Sequence, residues 1–161
     1  MWRVDRAAFL DRWIATATAV RGWALDHRHE YELIFGSPVP GYAAPQVTID
    51  PAARIPLLLV GIVRDALTAG EGTPRSRTSR RQGGPPHTGV PEAVWADMAA
   101  LGQLLDLDVP PALLAGMLMA WTALIGSISF ELFGHLVGSV TDYEAYFRYQ
   151  MTAVGNRLSL T

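Results

Sequence analysis

WALDHRHEYELIFGSPVPGYAAP, residues 23–45, decides the fold, because it joins the end of an amphipathic helix to a short helix and then to a Pro/Gly loop. Working back from it, Phe9, Leu10, Trp13, Ile14, Ala17, Val20, Ala24 and Leu25 recur at i, i+3 and i+4, while Arg6, Asp11, Arg12 and Arg21 lie mostly elsewhere. One apolar stripe on a 3.6-residue period predicts a helix over residues 5–27. Within the quoted run, His29 to Phe35 makes a short second helix, and Gly36 is expected to end it in the left-handed conformation that glycine adopts freely. The following SPVPGYAAPQVTID, residues 37–50, carries three prolines and a glycine and cannot continue as a regular helix.

Working forward, Asp50 before Pro51 is a helix start: Asp accepts from free backbone N–H groups, and Pro lacks the donor that would be orphaned there. The helix spans roughly residues 51–70, with Pro56 distorting its first turns. EGTPRSRTSRRQGGPPHTG, residues 71–89, has almost no apolar content and cannot repay its ordering entropy. The expectation is a flexible loop over residues 71–90; a basic arm reaching DNA or an acidic partner through Arg75, Arg77, Arg80 and Arg81 is the alternative. Pro91 opens a helix to about Leu107, with Val94, Trp95, Met98, Leu101, Leu104 and Leu105 on its apolar side. Pro110 and Pro111 open what is expected to be the longest helix, to about Val137. Thr141 and Glu144 match a T-x-x-E capping box, and a last helix runs from Asp142 to about Leu158. No run alternates as a strand would, so the chain is predicted to be an all-α bundle of five long helices and one short one, a single domain over residues 1–161.

A chain of 161 residues can bury a sizeable core, and the absence of cysteine removes disulfides, thiolate metal sites and cysteine nucleophiles. A net charge of −2 argues against a nucleic-acid surface on this chain, since capturing phosphates takes a concentrated basic face. All 13 basic residues are Arg, which we read as codon usage in a GC-rich genome. The N-terminus MWRVDRAAFLDRW mixes charges with apolar residues at helical spacing, unlike a secretory signal, and a cytoplasmic location is expected.

Val109 to Phe130 contains no charged residue, a length that would also cross a bilayer. The flanking charges, Asp106, Asp108, Glu131 and Asp142, are acidic, whereas a span is anchored by Lys or Arg, and Gly116, Gly126, Ser127 and Ser129 weaken insertion; no membrane contact is expected. A soluble helix apolar on all sides must be covered on all sides. Gly116 with Ala120 and Ala123 with Ser127 sit at four-residue spacing and allow a second backbone to approach. A two-fold homodimer built as a four-helix bundle supplies that cover, with Gly116, Ala120, Ala123, Ser127, Phe130, Phe133, Tyr146 and Met151 as its expected interface. The plainer alternative puts this helix at the centre of a monomeric bundle.

Chemistry has little to stand on. No nucleophile elbow, zinc-binding H-E-x-x-H, phosphate loop or dinucleotide fingerprint occurs, so no catalytic residue, metal or cofactor is expected. Glu131 and His135, four apart on the expected helix, are the exception: they make an alternative reading as a metal-binding protein or enzyme, with His27, His29 and Glu30 as possible further ligands and His87 discounted within the loop. An apolar pocket is better supported. Phe9, Trp13, Tyr31, Phe35, Tyr42, Met98, Leu101, Met117, Trp121 and Ile125 lie on inward stripes or on the Pro/Gly loop and supply large, adaptable walls for a hydrophobic small molecule.

Trp23, His27 and Gly36 in the opening run, together with FELFGHL at residues 130–136, resemble the effector-binding domain of tetracycline-repressor-like transcriptional regulators, in the subgroup marked by that Trp, His and Gly. The resemblance covers residues 5–158. It implies a sensing domain for a hydrophobic effector, dimerisation through the last two long helices, and operator DNA bound only through an N-terminal helix-turn-helix expected to lie outside this chain. Trp23 and His27 are expected to fix the helix end, the imidazole facing free carbonyls. Arg28 departs from the subgroup, where Pro commonly follows the His, and the Arg-rich loop is longer than the pattern implies.

Overall fold

A computed structural model describes residues 6–36, 41, 49–71 and 90–158, and Tyr42 and most of the Arg-rich run, at 72–89, lie outside them. The described residues form six helices: α1 Arg6–Asp26, α2 Arg28–Phe35, α3 Ile49–Glu71, α4 Glu92–Leu104, α5 Pro111–Leu132 and α6 Tyr143–Arg157. With no strand among them, the fold is the all-α bundle that the periodicity predicts.

The predicted stripe of α1 is its core face: Phe9, Trp13, Ile14, Ala17 and Ala24 are buried, and they share one cluster with Phe147 and Met151 of α6 and Leu158 just past its end. Each such large side chain taken out of water contributes about 1.5–3 kcal/mol. Gly155 lets the two backbones close up, since a Cβ there would come within 2.5 Å of Leu10 Cδ1 and 3.1 Å of Trp13 Cδ1. Trp13 is fully buried, and its indole Nε1 donates to the Met151 carbonyl at 2.8 Å, so its one polar atom is satisfied. α5 packs against all the other described helices, whereas α4 rests on α5 alone. Gly102 of α4 is the close point of that contact, where a Cβ would stand 3.2 Å from Leu114 Cδ1.

Several helix ends differ from expectation. Gly36 stops α2 with an extended backbone, φ −80° and ψ −156°; its lack of a side chain matters because a Cβ would run into the Glu32 carbonyl. The His27 ring stacks on Trp23 with centroids 5.4 Å apart, and its Nδ1 lies 3.7 Å from Glu30. Because α3 begins at Ile49, Asp50 is inside the helix and not its cap; with 23 residues α3 is also the longest, one more than α5. α4 stops at Leu104 because Asp106 turns left-handed, φ 51°, while Leu107 N–H donates back to the Gly102 carbonyl at 2.9 Å. α5 stops at Leu132, five residues short of Val137, by the same device: Gly134 has φ 76°, its N–H reaches the Glu131 carbonyl, and His135 N–H reaches the Phe130 carbonyl at 2.9 Å. This is a Schellman closure, complete with its contact between the residue after the glycine and the third from the helix end, here the His135 and Phe130 rings 5.0 Å apart. At α6 the cap is Asp142, whose side chain accepts from Ala145 N–H at 2.9 Å, and Thr141 and Glu144 do not form the predicted box.

Candidate functional site

α3 and α4 both lean on α5 but make no contact with each other among the described residues. The gap between them is a cavity of about 100 Å³. α3 supplies Pro56, Leu57, Leu59 and Val60; α4 and its closing turn supply Leu101, Leu105 and Leu107; α5 supplies Leu114, Met117, Leu118 and Trp121. The α5 set falls at i, i+3, i+4 and i+7, one face of a helix. Leu107 joins the wall because the left-handed Asp106 folds it back onto α4. Among the described lining side chains only the Trp121 indole N–H and the weakly accepting Met117 sulfur can hydrogen-bond.

Behind Trp121 the aromatic packing continues. Phe35 meets Trp121 edge to face at 6.1 Å, and Tyr31 lies against Phe35 at 4.9 Å. The Tyr31 hydroxyl donates to the Ile125 carbonyl at 3.1 Å and shares a 2.8 Å hydrogen bond with Ser129 Oγ. Burial raises the Tyr31 pKa, and the Ser129 bond offsets part of the rise.

The outer side of α5 is different. With α6 it forms an open groove of about 520 Å³, with Ala123, Gly126, Ser127 and Phe130 on one wall, Tyr146, Tyr149, Gln150, Ala153, Val154 and Arg157 on the other, and Leu136 at the end. Phe130 is 53% exposed and Tyr149 70%. A window of α5 with mean hydropathy 1.8 would suffice for a membrane span by length and composition, and 28% of that window is buried.

At the last turn of α5, the helices α1, α5 and α6 are clamped together. Arg21 of α1 donates from Nε and Nη2 to the two carboxylate oxygens of Glu131, at 2.7 and 2.6 Å. The Arg21 guanidinium also lies 5.5 Å from the centre of the Phe147 ring. The hydrogen bonds and charge of Glu131 raise the Arg21 pKa against the lowering effect of burial. Glu131 needs this partner, because it sits in the last turn of α5 where the helix end is already negative.

The cavity gathers three of the predicted pocket residues, Leu101, Met117 and Trp121; Phe35 and Tyr31 back it, and Ile125 takes part through its carbonyl. Met98 lies in a cleft on another side of α4 with Val94 and Met119. Phe9 and Trp13 do not line the cavity: both are buried core, Trp13 tied to α6. Of the predicted interface, Ala123, Ser127, Phe130 and Tyr146 line the groove and Phe133 is exposed beyond it. Ala120 and Met151 are instead buried within the chain, and Gly116 packs under Leu158 of α6, because the four-residue step from Gly116 to Ala120 points inward. Glu131 and His135 do not share a helix face: α5 ends between them, Glu131 is taken by Arg21, and His135 is exposed in the turn. The α3 wall went unassigned from sequence, although the dense run Leu57-Leu58-Leu59-Val60 beside Pro56 was its signal; nothing local announced the pairing of Arg21 with a residue 110 positions away.

These features make an all-α bundle domain with a part-open apolar cavity and an open groove of aromatic, small and polar residues. The chain matches the family model for the tetracyclin repressor-like C-terminal domain over residues 13–154. It is 33% identical over 138 residues to the HTH-type transcriptional regulators Rv1816 of Mycobacterium tuberculosis and Mb1846 of Mycobacterium bovis, a match covering 81% of this chain and 55% of each relative. The chain thus spans about half the length of the curated relatives it matches. It belongs to the tetracyclin repressor-like transcriptional regulators, as their C-terminal domain.

Proposed function

We propose that the chain is the effector-sensing and homodimerising domain of a cytoplasmic transcriptional repressor. A hydrophobic small molecule occupies the cavity between α3, α4 and α5, and a second copy covers the α5–α6 groove. Operator DNA is bound through a helix-turn-helix domain N-terminal to the matched region, and the effector acts by favouring one arrangement of the two subunits over another. It can shift that equilibrium only as far as its affinities for the two arrangements differ.

The observation that carries this reading is that one helix serves both sites. Leu114, Met117, Leu118 and Trp121 of α5 wall the cavity, while Ala123, Gly126, Ser127 and Phe130 line the groove. Thermal unfolding against a panel of apolar compounds tests the sensing half: a true ligand raises the melting temperature progressively with its concentration. Light scattering tests the other half, with two chains per particle expected. A strictly monomeric chain would remove the dimer from the proposal, and a panel without any concentration-dependent shift would remove the effector.

A further inference from the structure

Taking the cavity as the effector site, which is the reading above, we propose that the effector enters end-on and buries a hydrocarbon tip free of hydrogen-bonding groups, its polar groups remaining at the mouth between α3 and α4. The walls argue for this chemistry. Nine of the eleven described lining side chains have no hydrogen-bonding group, and the other two offer only the Trp121 indole N–H and the weakly accepting Met117 sulfur. A polar tip entering between such walls would lose its water and find almost no replacement. Size sets the second limit. The cavity holds about 100 Å³, against ~150 Å³ for a sealed apolar cavity that accepts a whole benzene molecule. The site therefore takes the end of a molecule, a branched alkyl group or part of an aromatic ring, and cannot enclose a whole ring-sized ligand. Among the described residues α3 and α4 do not touch, which lets the remainder continue outward between them.

p-Cresol and hydroquinone separate the alternatives. They match closely in shape, but p-cresol can insert a methyl group and keep its hydroxyl outside, whereas hydroquinone must bury one hydroxyl whichever way it enters. Titrated calorimetrically into the chain, p-cresol is expected to bind about tenfold more tightly, a ratio within the range that an unpartnered buried hydroxyl costs. Leu57→Trp and Leu118→Trp, at cavity positions 38% and 47% exposed and therefore tolerant of a larger side chain, are each expected to abolish p-cresol binding with the helical circular dichroism unchanged. Equal or tighter binding of hydroquinone overturns the apolar-tip proposal while leaving the cavity a ligand site. Undiminished p-cresol binding in both folded variants places the site elsewhere and overturns it too. If neither phenol binds the unaltered chain, the effector reading of the cavity falls, and this proposal with it.

Discussion

Removing the guanidinium of Arg21 while keeping its aliphatic stem, as in Arg21→Met, is expected to destabilise the chain by about 2–4 kcal/mol. The range follows from where the pair sits between two limits: exposed ion pairs are worth about 0–1 kcal/mol, while stripping one partner from a buried pair costs about 3–5 kcal/mol. The Arg21 and Glu131 side chains are 12% and 9% exposed, close to the buried limit, and Arg21 makes both ends of a two-pronged contact. The variant strands a desolvated carboxylate in the last turn of α5, where the negative helix end already disfavours it. Replacing both partners, Arg21→Met with Glu131→Met, removes the stranded charge and should return stability to within about 1 kcal/mol of the original. Glu131→Gln alone keeps one acceptor for Arg21 but leaves its charge uncompensated, and should cost about 1–3 kcal/mol. Urea unfolding followed by circular dichroism measures all four chains. Protein concentration must be held constant, because self-association would add to apparent stability. A cost below about 1 kcal/mol for Arg21→Met would show that the clamp contributes no more than a surface pair. A double variant as unstable as the single would equally refute the argument, because the cost could then not come from the uncompensated carboxylate.

Tyr31→Phe should lose about 1 kcal/mol through the hydroxyl bonds to Ile125 and Ser129. Because the folded state holds the Tyr31 pKa above its ordinary value, the associated stability is fully present below the ordinary tyrosine pKa and is lost as pH rises through the higher folded value; urea titrations at alkaline pH should show a decline that Tyr31→Phe lessens. Gly155→Ala should cost about 1–3 kcal/mol in the same assay, since Leu10 can turn aside but Trp13 is held by Met151; a neutral result would mean that α1 and α6 separate freely. Asp106→Gly should stabilise by about 0.5–1 kcal/mol by relieving a left-handed non-glycine residue, and a loss of stability would show that the Asp side chain does more than occupy the turn. Phe130→Glu places a charge on the groove wall and should shift light scattering from two chains to one without changing the helical signal; a persistent dimer would locate association elsewhere.

What was legible in the sequence was whatever a single helix settles by itself. α1 carries charge on one side, so its stripe marks the inward face, and Phe9, Trp13 and Ala17 on it are buried, although Phe9 and Trp13 prove to be core and not the pocket walls expected of them. α5 carries no charge on any side until Glu131, so periodicity could not tell Ala120, which is buried, from Ala123, which lines the groove. Its end was obscured for the same reason: Phe133, Leu136 and Val137 continue the apolar pattern past the stop, although Gly134 was the local signal that the helix closes there. Asp106 gave less warning, because an Asp in the left-handed region is uncommon and its effect, folding Leu107 into the cavity wall, depends on what α4 packs against. α5 touches all its described neighbours, walls a cavity and forms one side of a groove, yet Met119 is 65% exposed, so its lack of charge is not set by burial alone. Trp121 and Ala123 are two residues apart and point to opposite sides of that helix. A rotation of α5 that makes room at Trp121 therefore turns the groove wall by the same angle, with no chain of intervening side chains needed to carry the movement.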